Sequence, residues 1–533
     1  MSLNLADLFE AVAEALTDRT AVVCDGIRRT YGELDRRANR IARHLENSGI
    51  RPGQHVGIHM RNRIEYVETL LACFKIRAVP VNVNYRYTAA ELRYLYTDAA
   101  LTTLVTESEF VDVVAEVAPH CPRLLRVGVF DADTLPHTTG FAPYDIAAAA
   151  SQASDERRFR PRSDDDRLII YTGGTTGMPK GVVWRHEDFY MAALSGGNRE
   201  GAPYRTPEAL AAAAAARANP MTILVPAPLM HGAALYSLLS GLFAGGRMVL
   251  MRTYDPVAAL EAVQAEQVQC IMLVGDAMAR PIADCLREHS ARFDLSSLTT
   301  IGSGGALWSP TSKRELQRLL PDVFLRDSFG TSESGADGTL EFGADGTVRV
   351  RSNPNMHVVD DKLQPLPAGS PLTGYLARTG HVPLEYLGDE EKTARTFPVM
   401  NGVRMAVLGD MGRVEADGSI VLLGRGSMCI NTGGEKVFPE EVEAALKSHP
   451  AVMDALVVGA DHERFGEQVT AVVEQRGGGN TVDADRLIEH CREVLAGYKI
   501  PRTIVFVPRI RRSPAGKADY RWAKATVAEL VAQ

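Results

Sequence analysis

A chain of 533 residues, 45% hydrophobic and 23% charged, is long enough for a large globular domain plus a smaller one and has an ordinary globular composition. Its net charge of −8 gives no reason to expect nucleic acid or an anionic membrane as partner. Seven scattered cysteines, none at metal or redox spacing, fit a reduced, cytoplasmic protein, and no uncharged apolar stretch is long enough for a membrane span.

The start, Met1-Ser2-Leu3-Asn4-Leu5-Ala6-Asp7, lacks the basic and apolar regions of a signal peptide. Residues 4–16 read as an amphipathic helix, and Val22-Val23-Cys24-Asp25-Gly26 as a strand into a turn. Thr30 N-caps a second helix that runs through Ala38, Ile41, Ala42 and Leu45 at helical spacing. Strands at 56–60, 78–83 and 101–105 alternate with helical stretches such as 65–74. That alternation is the signature of βαβ units around a parallel sheet. Residues 150–166 are a polar connection.

The apolar run Leu168-Ile169-Ile170 then opens into Tyr171-Thr172-Gly173-Gly174-Thr175-Thr176-Gly177-Met178-Pro179-Lys180-Gly181. Four glycines, three threonines and a lysine fall within these eleven residues. Glycine lets backbone N–H groups approach an anion, threonine hydroxyls donate to phosphate oxygens, and the lysine adds positive charge. The stretch is therefore a phosphate loop, the plainer alternative being a glycine turn from strand to helix. It is not a Walker loop, because Pro179 precedes Lys180 and Gly181 follows it.

Further along, residues 196–208 form a surface loop and Ala211–Ala216 a plain helix. Pro226-Ala227-Pro228-Leu229-Met230-His231-Gly232 follows a strand. Val249-Leu250-Met251 and Ile271-Met272-Leu273-Val274 are strands of a second parallel sheet. Gly275-Asp276-Ala277-Met278 stands where such sheets bind ligands. Thr299-Thr300-Ile301-Gly302-Ser303-Gly304-Gly305-Ala306 is a strand entering a glycine turn, and Asp327-Ser328-Phe329-Gly330-Thr331-Ser332-Glu333 follows. A strand at 403–408 is expected to end at Gly409-Asp410. Then come Leu423-Gly424-Arg425-Gly426-Ser427 and Asn431-Thr432-Gly433-Gly434-Glu435-Lys436-Val437-Phe438-Pro439, with Glu440 and Glu441 in the first turn of a helix. A small α+β unit follows, with strands at 452–458, 468–474 and 503–507 and a helix at 483–495. Arg511-Arg512-Ser513-Pro514-Ala515-Gly516-Lys517 closes the chain.

In order and wording these motifs resemble the adenylate-forming superfamily of acyl-CoA synthetases, adenylation domains and luciferases, and most resemble bacterial acyl-CoA synthetases of the steroid side-chain type. The resemblance covers almost the whole chain. It implies an α/β fold with a large N-terminal domain of parallel α/β sheets plus a β-barrel-like part (1–424), a hinge at 425–428, and a small mobile α+β C-terminal domain (429–533).

The resemblance also implies residue roles. Thr172, Gly173, Gly174, Thr175, Thr176 and Lys180 would hold the ATP phosphates. Gly304 and Gly305 would lie along the adenine and Phe329 would stack on it, with Gly330 beside it. Thr331 and Ser332 compete for the hydroxyl that meets the α-phosphate, the register favouring Ser332. Glu333 would bind Mg²⁺, Asp410 the ribose, and Arg425 ribose and phosphate. Gly433, Gly434 and Lys436 would border CoA, and Lys517 would enter the site during adenylation. His231, Tyr236, Asp276, Met278 and Phe329 would line the acid pocket, and small Gly232, Ala233 and Ala234 would leave room for a bulky or long acid.

The implied reaction joins a carboxylic acid to CoA through an acyl-adenylate. The alternative is an adenylate-former whose acceptor is an amine, a carrier protein or nitrite. A non-catalytic nucleotide-binding relative is disfavoured by the presence of Lys517, Glu333 and Asp410. A homodimer is the assembly considered, although the sequence does not specify it.

Overall fold

The computed structural model describes residues 2–132, 143–172, 179–289, 292–306, 308–343, 347–352, 354–425, 428, 430–432, 435–462, 466–477, 482–495, 497–512 and 518–531. The fold is mixed α/β. Its first sheet has a parallel run ordered Thr20–Cys24, Arg247–Leu250, Thr222–Val225, Cys270–Leu273, Thr300–Gly304 and Phe324–Thr331. From Gly335–Phe342 onward the same sheet turns antiparallel, through Val348–Ser352, Ile420–Arg425, Val403–Val414, Gly374–Thr379 and Met356–Val359. Val350, Met356, Val358, Leu376, Val414 and Ile420 pack together on one face of this run. A sheet that buries one face on itself must curl, which gives the expected barrel-like part as an extension of the parallel sheet.

The second sheet is parallel through Val79–Asn82, His55–His59, Thr103–Glu107, Arg126–Phe130 and Tyr144–Asp145, with Arg167–Thr172 beside Val79–Asn82. It ends in two antiparallel strands, Lys180–Arg185 and Glu385–Tyr386. The sheets are thus mixed rather than purely parallel. One core joins them: Ile58, Leu168 and Ile170 pack in the same cluster as Leu224, Ile271 and the fully buried Trp184 and Trp308.

Local chemistry explains the helices. Thr30 and Glu33 form a capping box at the start of Tyr31–Asn47, as the sequence predicts, and Asn4 caps Leu5–Ala15. Folding sets one strand's sheet and changes one expectation. The strand carrying Val22 and Val23 pairs with Arg247–Leu250, so it belongs to the sheet formed much later in the chain. The strand beginning at Val403 does not end at Gly409-Asp410. It runs on to Val414, passing through Gly409 at φ +78°, a left-handed value that glycine tolerates.

After Arg425 the chain leaves the first sheet. The strands Ile430–Thr432, Glu435–Val437, Val452–His462, Gly466–Gln475 and Thr503–Val507 form a third sheet, covered by Pro439–Ser448, Ala484–Val494 and Tyr520–Val531. This unit has cores of its own. It touches the larger part at Thr311, whose hydroxyl donates to the Lys447 carbonyl at 3.0 Å.

Candidate active site

The site is assembled from several places in the chain. The phosphate loop tips a β-hairpin: Thr172 at the end of one strand faces Lys180 at the start of the next. The plainer reading, a turn from strand into helix, is thereby replaced, because an antiparallel strand intervenes before helix His186–Ala193. Gly173, Gly174, Thr175 and Thr176 lie outside the described residues, as do Ser427, Gly433, Gly434 and Lys517; of Arg425 and Lys436 only the backbone is described.

The turn Thr331-Ser332-Glu333-Ser334 lies beside this hairpin. Trp184, fully buried on the hairpin's second strand, donates its indole N–H to the Ser332 carbonyl at 3.0 Å. The Thr331 hydroxyl is bonded to that of Ser334 at 2.9 Å and accepts from the Glu333 N–H at 3.2 Å. Ser334 in turn donates to Asp337, which pairs with Arg378 at 2.7 Å. Burial outweighs these partners and raises the Asp337 carboxyl. Thr331 is therefore tied into the turn's own scaffold, whereas among the described residues the Ser332 hydroxyl makes no hydrogen bond.

Glu333 projects from this turn and accepts from the Tyr386 hydroxyl at 2.8 Å. The ammonium of Lys180 stands 5.1 Å from the centre of the same Tyr386 ring. Burial, with Lys392 nearby, holds Lys180 below the usual lysine range despite the attraction of Glu333 and Asp389. Tyr386 thus joins the two expected phosphate-side residues. Nothing in the sequence marks it out, since its local cue is a lone tyrosine two residues before a glycine turn.

Among the described residues no three His, Cys, Asp or Glu side chains cluster as a metal cage. A single carboxylate beside a phosphate loop fits Mg²⁺, which binds oxygen, keeps several waters and takes other ligands from substrate phosphates.

The expected acid side is built on helix Gly232–Phe243. His231 is its N-cap residue, and the Tyr236 ring lies over Gly232, where a Cβ would come within 3.3 Å. Burial, with Glu333 and Asp337 close by, drives the Tyr236 phenol well above its ordinary range, and its hydroxyl is buried without a hydrogen bond. Gly304 and Gly305 end their strand against this helix: a Cβ on Gly305, at φ +82°, would lie 3.3 Å from that of Ala233.

Two buried asparagines hold the preceding segment. Asn62 accepts from the Leu229 N–H at 2.7 Å and donates to the Ala227 carbonyl at 2.8 Å. Asn82 accepts from the Tyr171 N–H at 2.6 Å and donates to the carbonyls of Tyr171 and Met230, so one amide binds the phosphate hairpin to the acid-side loop. Neither role is visible in sequence, because both depend on segments far apart in the chain.

Phe329 is half-buried and packs against the curled sheet's core, as does Leu408. Gly330 meets the backbone directly, since a Cβ there would fall 2.1 Å from the Gly335 carbonyl oxygen. Asp410 is buried and registers opposite Arg425. Asp276 and Met278 are engaged elsewhere. Asp276 pairs with Arg280 at 2.9 Å and accepts from the Ser309 N–H at 3.0 Å, which fixes one helix to the next, and Met278 is buried in the core.

Residues 9–384 match the model of the AMP-binding enzyme family, and residues 441–517 match that of the AMP-binding enzyme C-terminal domain. This chain belongs to the AMP-binding enzyme family. Among its relatives, a 3-oxocholest-4-en-26-oate–CoA ligase of Rhodococcus rhodochrous is 44% identical over 98% of this chain and 96% of its own length. A medium/long-chain-fatty-acid–CoA/3-oxocholest-4-en-26-oate–CoA ligase of Mycobacterium tuberculosis H37Rv is 43% identical over the same shares. The family fold recurs in the solved structure of the anthranilate CoA ligase AuaEII with anthranoyl-AMP (TM-score 0.83, 21% identity, 99% of this chain and 98% of that one). It recurs as well in the amide bond synthetase McbA of Marinactinospora thermotolerans (TM-score 0.80, 24% identity, 98% and 99%).

Proposed function

We propose that this family member is an AMP-forming acid–CoA ligase that activates a long or polycyclic carboxylic acid, the class named for its relatives at 43–44% identity. That identity, running through both family regions, is the observation that carries the reading. The McbA neighbour shares the fold, so fold alone does not choose the acceptor.

In the first step the acid's carboxylate oxygen attacks the α-phosphorus of ATP and pyrophosphate leaves. Lys180 and the loop at 172–180 grip the β- and γ-phosphates, the Ser332 hydroxyl donates to the α-phosphate, and Phe329 stacks on adenine. Asp410 accepts the ribose hydroxyls and Arg425 reaches ribose and phosphate. Glu333, oriented by the Tyr386 hydroxyl, would hold Mg²⁺, which when bound neutralises phosphate charge. Lys517 bridges the acid and the α-phosphate. The contribution of these residues is positioning and charge stabilisation rather than covalent chemistry.

In the second step the small domain turns about residues 425–428. Lys517 withdraws, the Gly433-Gly434 segment with Lys436 borders CoA, and the CoA sulfur attacks the acyl carbonyl to expel AMP. Six described cysteines are buried as free thiols, which accords with the reducing cytoplasm.

The test is AMP release from ATP over a panel of acids, each with and without CoA. AMP that rises with CoA, alongside an acyl-CoA product, supports the reading. Acid-dependent pyrophosphate release that CoA leaves unchanged would overturn the choice of acceptor.

A further inference from the structure

Between helix Gly232–Phe243 and the first sheet, residues that keep accessible surface trace a path back from the candidate site. Its helical wall is the stripe Ala233, Tyr236 and Ser240, which keeps accessible surface on a helix whose other positions are mostly buried. Across from it, Gly302 and Gly304 are two residues apart on one strand and so share a face. Their register partners Arg326, Ser328 and Met272 share it too. The helix meets the sheet near Gly305 and Ala233. Farther back the sheet lies open: Met272, Arg326 and Ser328 keep accessible surface in the middle of a parallel sheet, and Phe324, two residues before Arg326, is 65% exposed.

Two arginines stand at that end. Arg326 has its Nε buried without a hydrogen bond. Arg199 arrives from the loop after Ser195–Gly197. Desolvation of its charged group, together with the nearby Arg326 charge, holds its guanidinium below the usual arginine range, although the residue as a whole is exposed. Among the described residues neither arginine has an ion-pair partner, whereas Arg378 is paired with Asp337. Two like charges near one another repel, and an entering oxygen acceptor relieves them. The hydroxyls of Tyr236 and Ser240 on the opposite wall are also buried without partners.

We propose that Arg199 and Arg326 close the remote end of the acid groove and bind an oxygen acceptor, a carboxylate or a ketone, on the end of the acid opposite the reacting carboxylate. The proposal rests on the ligase reading above and makes these arginines specificity-determining residues. Guanidinium N–H groups donate to either acceptor, and a carboxylate adds charge neutralisation. A plain methyl end leaves both arginines unsatisfied, the kind of penalty by which a polar subsite rejects an apolar analogue.

The experiment measures kcat/KM for acyl-CoA formation from linear acids of matched length ending in methyl, ketone or carboxylate, with wild type, Arg199→Gln and Arg326→Gln. Wild type is expected to favour an acceptor-bearing acid over the methyl acid by roughly tenfold or more. In each variant that ratio falls toward one. A carboxylate preference that fades with salt while the ketone preference persists assigns which acceptor is read ionically. Equal kcat/KM for all three acids in wild type, or variants that slow all three alike, would overturn the proposal. Arg199→Gln, on an exposed loop, carries the test if Arg326→Gln does not fold. No acyl-CoA from any of the acids would overturn the ligase reading instead.

Discussion

Tyr386 shows most clearly what a single side chain contributes. Its hydroxyl orients Glu333 and its ring faces Lys180, so removing only the hydroxyl separates the two roles. Tyr386→Phe is expected to raise the Mg²⁺ concentration needed for half-maximal adenylation and to lower its kcat by roughly tenfold, in keeping with one hydrogen bond to a charged group. Titrating activity against Mg²⁺ checks this; an unchanged Mg²⁺ dependence would sever Tyr386 from the metal. Lys180 makes a pH prediction. Burial lowers its affinity for a proton, so as pH rises it loses its charge sooner than an exposed lysine does. KM for ATP should therefore climb on the alkaline side, and Lys180→Arg should move that limb upward. Lys180, Glu333 and Ser332 could be singled out as candidates in sequence because phosphate chemistry concentrates distinctive residues in short motifs. Tyr386, Asn62 and Asn82 were not, since each is an ordinary polar residue until folding brings distant backbone to it.

Among the elements, the turn from Thr331 to Gly335 is the most constrained. Gly335 has φ +87°, and a Cβ there would sit 2.9 Å from the Ala192 and Ala193 backbone. Gly335→Ala should destabilise the large part by roughly 2 kcal/mol or more, seen as a lower Tm, through left-handed strain plus displaced backbone. In the small unit, burial would raise the Asp454 carboxyl, but Lys447 and the bidentate Arg512, at 2.7 and 2.8 Å, hold it well below its ordinary value. A depressed carboxylate contributes stability above its unfolded pKa, and that contribution is lost as pH falls from about 4 through the folded value. Asp454→Asn should cost roughly 3 kcal/mol near neutral pH by stranding two cations, and should flatten the acid limb of a denaturation profile. Helices and strands were mostly legible from periodicity and caps such as Thr30. The hairpin beyond the phosphate loop was not, because a short apolar stretch, Val182-Val183-Trp184, suits a strand or a helix equally well until its partner strand is known.

At the scale of the whole molecule, the proposed mechanism has the small domain serve the two half-reactions with different residues. Lys517→Ala should nearly abolish adenylate formation while leaving thioester formation from supplied acyl-adenylate largely intact. Equal loss of both would count against a small domain that alternates between them. The two-part plan was legible because motifs occur in family order. What sequence order concealed was sheet membership: alternation of strand and helix says that parallel sheets form, not which strand joins which.

The strand Thr20–Cys24 carries a consequence for biosynthesis. Its parallel partner, Arg247–Leu250, emerges from the ribosome roughly 220 residues later. At about 5–20 residues per second, the nascent Ala-Val-Val-Cys segment spends on the order of 10–40 s without that neighbour. The amino-terminal third therefore cannot complete its fold while it is being made. A chain stalled before residue 247 would present a sticky, half-built edge, a natural target for holding chaperones and a poor choice for expression as a separate fragment.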